Sequence, residues 1–218
     1  MGTFCNRVRT TMNKRIITAV GLTALAAGLA IYLRGSDRFP TAVPPAFRVL
    51  GPQQAPVKVV EFSDFACPAC ATAWEGLENM AQKYPKFLKV EFKHYPLTSI
   101  HPWSMDAAMY ADCAGRQGRF REYAGLLFSR QKDWARGTDA RALFAAYGKE
   151  AGLDAGALEA CLAEPETRRA VELDLAEGER RKIESTPTFI VNGKRAVGPA
   201  QLMHRLQYLA ITVKPEKL

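Results

Sequence analysis

Cys67 and Cys70 lie in the stretch "DFACPACATAW", with Pro68 and Ala69 between them. A pair at this spacing can clip a metal, cross-link a turn or exchange electrons, and the spacing alone does not choose. Zinc needs four ligands, and a second C-x-x-C is missing. His94 and His101 fall in no recognisable ligand spacing, so no metal is expected. A purely structural bridge would close too short a loop to stabilise much. The remaining chemistry is thiol–disulfide exchange.

The local sequence supports that reading. The pair follows the apolar run "VKVVEF" and precedes a helical pattern, so Cys67 falls where a strand hands over to a helix. Proline fits the first helical position because that residue's N–H has no partner to lose. The Cys67 sulfur would then face unpaired backbone N–H groups and the positive end of the helix dipole, which favours the thiolate. A free thiol with a pKa of about 8.5 is only about 3% ionised at neutral pH, whereas sites of this kind reach roughly 3.5–7.5. A stabilised thiolate makes the disulfide the less stable partner and therefore readily given away. Cys70, one turn further in, would be the buried, resolving thiol.

Positioning these sulfurs requires a small set of elements. Trp74, Leu77, Met80, Ala81 and Tyr84 recur at helical spacing and end near Pro85. "FLKVEFKHY" then alternates as a second strand, which makes a strand–helix–strand unit with parallel strands. Residues 103–183 read as helical throughout, with Thr138 and Asp154 as N-caps. Strand character returns at "TPTFIVNGKRAVG", where Asn192-Gly193 marks a hairpin. Pro199 opens a last helix carrying Leu202, Leu206 and Leu209. Pro187 at a strand start has no donor for a ladder and suits a tight, cis turn. A cis Thr186–Pro187 bond would offer the Thr186 backbone to a passing peptide beside the sulfur.

The remainder of the chain bounds the setting. Its 218 residues, 48% apolar, suffice for one domain with an appendage. The net charge of +8 comes largely from residues 1–38, with six basic side chains against one acid, leaving 24 against 21 elsewhere. No basic stripe interleaved with aromatics is present, so nucleic acid is not an expected partner. Residues 16–33 are uncharged and flanked by Arg7, Arg9, Lys14 and Arg15 on one side and Arg34 on the other. As a helix they would span about 27 Å, enough for a bilayer core, with the N-terminus inside. A cleaved signal is the alternative, but the A-x-A pattern at Ala24 and Ala26 lies within the apolar run. A start at Met12 would also give a tidy segment, and Cys5 is discounted on that ground. The division expected is an anchor or signal over 1–34, a proline-rich tether over 35–56, a domain over 57–210 with its helical insertion at about 103–183, and a tail over 211–218.

In combination these motifs resemble the thioredoxin superfamily, and within it the DsbA-like branch. "VLGPQQAPVKVVEFSDFACPAC" resembles that branch's first strand and C-P-x-C site, "FKHYPL" its second strand, "HPWSMDAAMYADCAGRQGRF" its helical insert and "TPTFIVNGK" its cis-proline loop. The resemblance implies an α/β thioredoxin fold, a small mixed sheet with an inserted helical domain. It further implies a redox-active Cys67–Cys70 pair needing no cofactor, and a peptide groove at Thr186 and Pro187. It matches Glu61 to an acid buried beneath the active site, with Lys93 as its partner. On the residues alone an unpaired glutamate on a buried strand is costly, and a surface-facing Glu61 is the alternative. Pro-Ala between the cysteines departs from the Pro-His of the best-known enteric member, which leaves oxidant strength open. Cys113 and Cys161 read either as a second, structural disulfide or as two buried thiols.

The expected activity is extracytoplasmic donation of disulfides to reduced exported proteins, with the domain held at the cytoplasmic membrane or secreted after cleavage. Reoxidation would come from a quinone-linked membrane partner. An isomerase or reductase of the same fold and a non-catalytic peptide-binding or chaperone module are the rival readings.

Overall fold

The computed structural model describes residues 43–137 and 139–213. The proposed anchor over 1–34, Cys5 and Thr138 lie outside them. Among the described residues no helix is long and apolar enough to cross a membrane.

Five strands form one mixed sheet: β1 (Val49–Leu50), β2 (Val57–Ser63), β3 (Leu88–His94), β4 (Thr188–Val191) and β5 (Lys194–Val197), in the order β1-β3-β2-β4-β5. β2 and β3 run parallel, joined by α1 (Pro68–Lys83), as the strand–helix–strand reading predicts. The other pairings are antiparallel. At the β4–β5 hairpin Asn192 and Gly193 take φ of 46° and 78°, the left-handed conformation that a two-residue turn of matching twist requires. Six helices, α2 (Ser104–Arg116), α3 (Phe120–Ser129), α4 (Gln131–Trp134), α5 (Arg141–Glu150), α6 (Ala155–Ala163) and α7 (Pro165–Arg180), make the insertion, and α8 (Gly198–Val213) closes the fold. Asp154 caps α6 by accepting from Ala157 N at 2.7 Å.

Alternation along β2 decides which helix each residue meets. Val57 and Val59 pack with Ala73 and Leu77 of α1 and with Leu202 and Leu206 of α8. Phe62, from the opposite face, packs with Tyr95 and Ile183, partly covered by Leu175 of α7. A third cluster, in which Phe65 and Phe92 meet Tyr123, Phe128, Trp134 and Phe144, fastens the insertion to the active-site end of the sheet. Burying each such large apolar side chain is worth about 1.5–3 kcal/mol.

Two boundaries differ from the sequence reading. The second half of the tether belongs to the fold: a 3-10 turn at Ala46–Arg48 leads into β1, which pairs with β3, and Arg48 is buried. Phe47 packs so closely on α2 that a side chain at Gly115 would collide with its ring. At the other end α8 runs to Val213, past the tail boundary set at 210, because Leu209, Ala210 and Val213 still pack against the core.

Candidate active site

Cys67 is the N-cap residue of α1, with extended backbone angles and Pro68 at the helix start. Its carbonyl accepts the first helical bonds, from Cys70 N at 3.0 Å and Ala71 N at 3.3 Å. Gln131 Nε2 donates to the same carbonyl at 3.0 Å and to Phe65 O at 2.6 Å, so the insertion holds the turn that carries the sulfur. Both cysteines are free thiols. Cys67 is 9% exposed and Cys70 fully buried, behind exposed Pro68 and half-buried Ala69.

Across the site the Thr186–Pro187 bond is cis, and Cys67 Sγ donates to Thr186 O at 3.4 Å. The loop from β4 therefore places a backbone carbonyl next to the reactive sulfur, where an incoming peptide would meet both. Asp64, at the end of β2, is buried and pins this end of the sheet. Its carboxylate accepts from Ala66 N at 2.8 Å and Leu97 N at 2.9 Å and meets His101 Nδ1 at 2.8 Å, while its own N–H points to Cys70 Sγ at 3.4 Å.

The two thiols are driven apart in acidity. The hydrogen bond from the Cys70 thiol is the largest influence on Cys67 and brings it down to about 5, against the opposing effect of partial burial. The Thr186 side chain and the backbone N–H groups of Cys70 and Ala69 add to the lowering. Burial pushes Cys70 well above its usual range, and its bond to Cys67 and the negative charge there raise it further. The helix start is thus a contributor, as the sequence reading expects, but the neighbouring thiol outweighs it.

Glu61 is also buried, on the face of β2 that meets α1. Desolvation raises its carboxyl to about 8, tempered by the Ser63 hydroxyl. Neither carboxyl oxygen has a hydrogen-bond partner among the described residues. It borders a cavity of about 50 Å³ with Trp74 and Phe92, large enough to admit water.

Lys93 is not its partner. Glu61 lies opposite Phe92 in the β2–β3 ladder, so Lys93, one residue on, points to the other face. There its Nζ meets Glu177 Oε2 at 3.0 Å and Asp174 Oδ1 at 3.2 Å, both from α7. The expectation of a Glu61–Lys93 pair fails on strand alternation.

Lys93 belongs to a buried network that sequence reasoning missed. Arg48 from the N-terminal strap bridges Asp112 of α2 and Asp174, and Asp112 also meets His94 Nε2 at 2.9 Å. Desolvation, and next the charge of Arg48, lower the His94 pKa, against the opposing pull of Asp112 and Asp174. Nothing in the linear pattern around Arg48 marks it as buried, whereas Asp64 had a signal: a carboxylate directly ending a buried strand.

Cys113 of α2 and Cys161 of α6 are bonded to each other, with Cα atoms 5.8 Å apart. The Thr167 hydroxyl donates to Cys161 O at 2.6 Å and packs beside the bridge. Among the described residues no group of three or more His, Cys, Asp or Glu side chains is arranged to hold a metal.

Comparison with known proteins places this arrangement. The thioredoxin family profile matches residues 45–207. An Na(+)/H(+) antiporter NhaA 3 from Salinispora tropica is 34% identical over 151 residues, 69% of this chain and 22% of the antiporter. A second, NhaA 1 of Salinispora arenicola, is 33% identical over 150 residues with the same coverage. The chain thus spans about a fifth of the length of these curated relatives, and ion exchange is the named activity of the longer proteins. Among solved structures, a thioredoxin-like oxidoreductase from Silicibacter pomeroyi superimposes with a TM-score of 0.64 at 23% identity, covering 76% of this chain and 91% of that one. Wolbachia pipientis alpha-DsbA1 gives 0.65 at 17% identity, over 78% and 94%. Bacillus subtilis BdbD gives 0.64 at 23%, over 78% and 96%. With its helical insertion, its C-P-x-C turn and its cis-proline loop, this chain belongs to the thioredoxin family and has the DsbA-like form of that fold.

Proposed function

We propose that the protein is a thiol–disulfide oxidoreductase that donates the Cys67–Cys70 disulfide to reduced exported proteins on the outer side of the cytoplasmic membrane. The observation that carries the reading is the setting of the two sulfurs: Cys67 at the helix start, 9% exposed beside the Thr186 carbonyl and lowered to about 5, against Cys70, fully buried and raised. In the oxidised protein a substrate thiolate attacks Cys67 Sγ. The Cys67–Cys70 bond breaks, and Cys70 leaves with the electron pair and takes up a proton. Glu61, protonated up to about pH 8 on the same face, is the buried acid available to that end of the site. A second substrate thiolate then attacks the substrate sulfur of the mixed disulfide and releases Cys67 as a thiolate. The substrate loses two electrons and the protein gains them.

Because the released Cys67 anion is stable, the balance lies toward transfer. Reoxidation returns the two electrons to an oxidant, for which a quinone-linked membrane protein is proposed. The uncharged stretch over residues 16–33 supports tethering near such a partner, as does the similarity to longer, antiporter-named proteins.

Redox equilibration with glutathione tests the direction. A potential far above the −270 mV or so of thioredoxin supports donation, and a value near it favours the reductase or isomerase reading. Titrating thiolate absorbance tests the cause: a Cys67 transition near pH 5 supports it, and one near 9 removes it.

A further inference from the structure

The active-site turn borders a second groove, on the insertion side of Cys67 and away from the cis-proline loop. It has a volume of about 580 Å³, within the 300–1,000 Å³ or so typical of clefts that hold a ligand. Ala66 and Pro68, which flank Cys67 in the chain, line one wall, and Ala135 and Ile100 add apolar surface. Ile100 is 67% exposed, a large apolar side chain left in water in the groove that Ala66 and Pro68 border. Gln131 lines the groove while holding the Cys67 carbonyl, so the groove and the turn form one rigid unit.

The charge of this groove is one-sided. Lys132 and Arg136 are exposed, line it, and form no ion pair among the described residues. No acid is among the residues that line it. Asp133 of the same short helix is exposed and lies outside the lining, near enough to Arg130 and Tyr147 to act on both. Glu150 is paired to Arg130 at 2.7 Å, and Asp64 is buried against His101. Two unpaired cations over an apolar floor match a peptide that offers carboxylates and a short apolar side chain.

We infer that this groove selects reduced protein segments carrying Asp or Glu next to the reacting cysteine, through Lys132 and Arg136. The inference rests on the thiol-exchange reading above and names its preferred substrate class. Ala66 and Pro68, the residues on either side of Cys67, line the groove, so the side chains next to the substrate cysteine are the ones placed to enter it. Attraction at this range raises the encounter rate and orients the thiolate, and it weakens with salt.

The test uses oxidised protein and reduced dicysteine peptides of one sequence carrying Glu, Gln or Lys beside the cysteines, with the transfer rate followed by protein fluorescence. At low ionic strength the Glu peptide is expected to react about tenfold faster than the Lys peptide, with Gln between them and the spread collapsing in high salt. The double charge reversal Lys132→Glu with Arg136→Glu reverses the order, a readout that a general loss of activity cannot imitate. Equal rates for the three peptides, or a Glu preference that survives the reversal, overturn the inference. Failure to oxidise any of the peptides, or reduced dithiothreitol, removes the exchange reading on which it rests.

Discussion

The molecule holds two pairs of cysteines that sequence spacing and setting treat in opposite ways. Cys67 and Cys70 are three positions apart at the mouth of a helix, one slightly exposed and one fully buried, with a peptide carbonyl across from Cys67. Cys113 and Cys161 are 48 positions apart, both buried, and joined between α2 and α6 with the Thr167 hydroxyl beside them. The first pair sits where backbone N–H groups and a neighbouring thiol stabilise an anion. The second sits among Leu158 and other apolar side chains, where an anion has no support. Redox chemistry follows the setting of the sulfur, and a close pair becomes exchangeable because its two environments differ.

Replacing the sulfurs of each pair should break this contrast most sharply. Cys67→Ser is expected to reduce substrate oxidation to the uncatalysed background, and Cys70→Ala to trap a mixed disulfide visible by mass spectrometry. If Cys67→Ser retains transfer, the first pair is not the working one. Removing the second pair with Cys113→Ala and Cys161→Ala should leave transfer intact and cost up to about 4 kcal/mol in urea unfolding, on the chain-entropy estimate for a loop of this length. Loss of transfer with stability kept would reverse the assignment.

Glu61 sharpens the comparison, since its buried carboxyl has no hydrogen-bond partner among the described residues, whereas buried Asp112, next to Cys113, is held by Arg48 and His94. Its folded pKa, raised from 4.5 to about 8, keeps extra protons bound in the folded state between those values. Its contribution therefore lowers stability as pH rises from about 4.5 to about 8. Glu61→Gln should flatten that slope and gain about 2–3 kcal/mol near pH 7, measured by denaturant unfolding across the range. A slope unchanged by the substitution would show that the carboxyl is not held neutral.

The smallest expected effect concerns Cys67 itself. A thiol lowered from 9 to about 5 contributes stability to the reduced fold that is complete above pH 9 and lost as pH falls through 5. The reduced form should therefore gain on the oxidised form as pH rises from about 5 to 7, by about 1 kcal/mol once solvent screening is allowed for. Paired urea melts of the two forms check it.

Much of this arrangement was legible along the chain because it is local. Strand, C-P-x-C and helix are contiguous, Asn192-Gly193 encodes its own turn, and Pro187 announces a strand start that lacks a donor. Glu61 stood out because a carboxylate in "VVEFSDF" breaks an apolar pattern. What was not legible depends on partners far away in sequence. Lys93 was set against Glu61 by the family resemblance, yet a shift of one residue in register sends it to α7. Arg48 sat in a proline-rich stretch that reads as tether, and its partners Asp112 and Asp174 are 64 and 126 residues away. Gln131 carries no pattern at all; only the folded insertion brings it to the Cys67 carbonyl.

The burial of Arg48 limits where any linker to a membrane can be cut. The guanidinium is the counterion for two interior carboxylates, so a chain trimmed beyond this residue would leave Asp112 and Asp174 facing each other without it. Such a fragment would also lose Phe47, whose ring packs against α2 at Gly115. A soluble version of the domain should start ahead of the proline pair at 44 and 45, and a protease acting in the linker would release an intact catalyst only on that side.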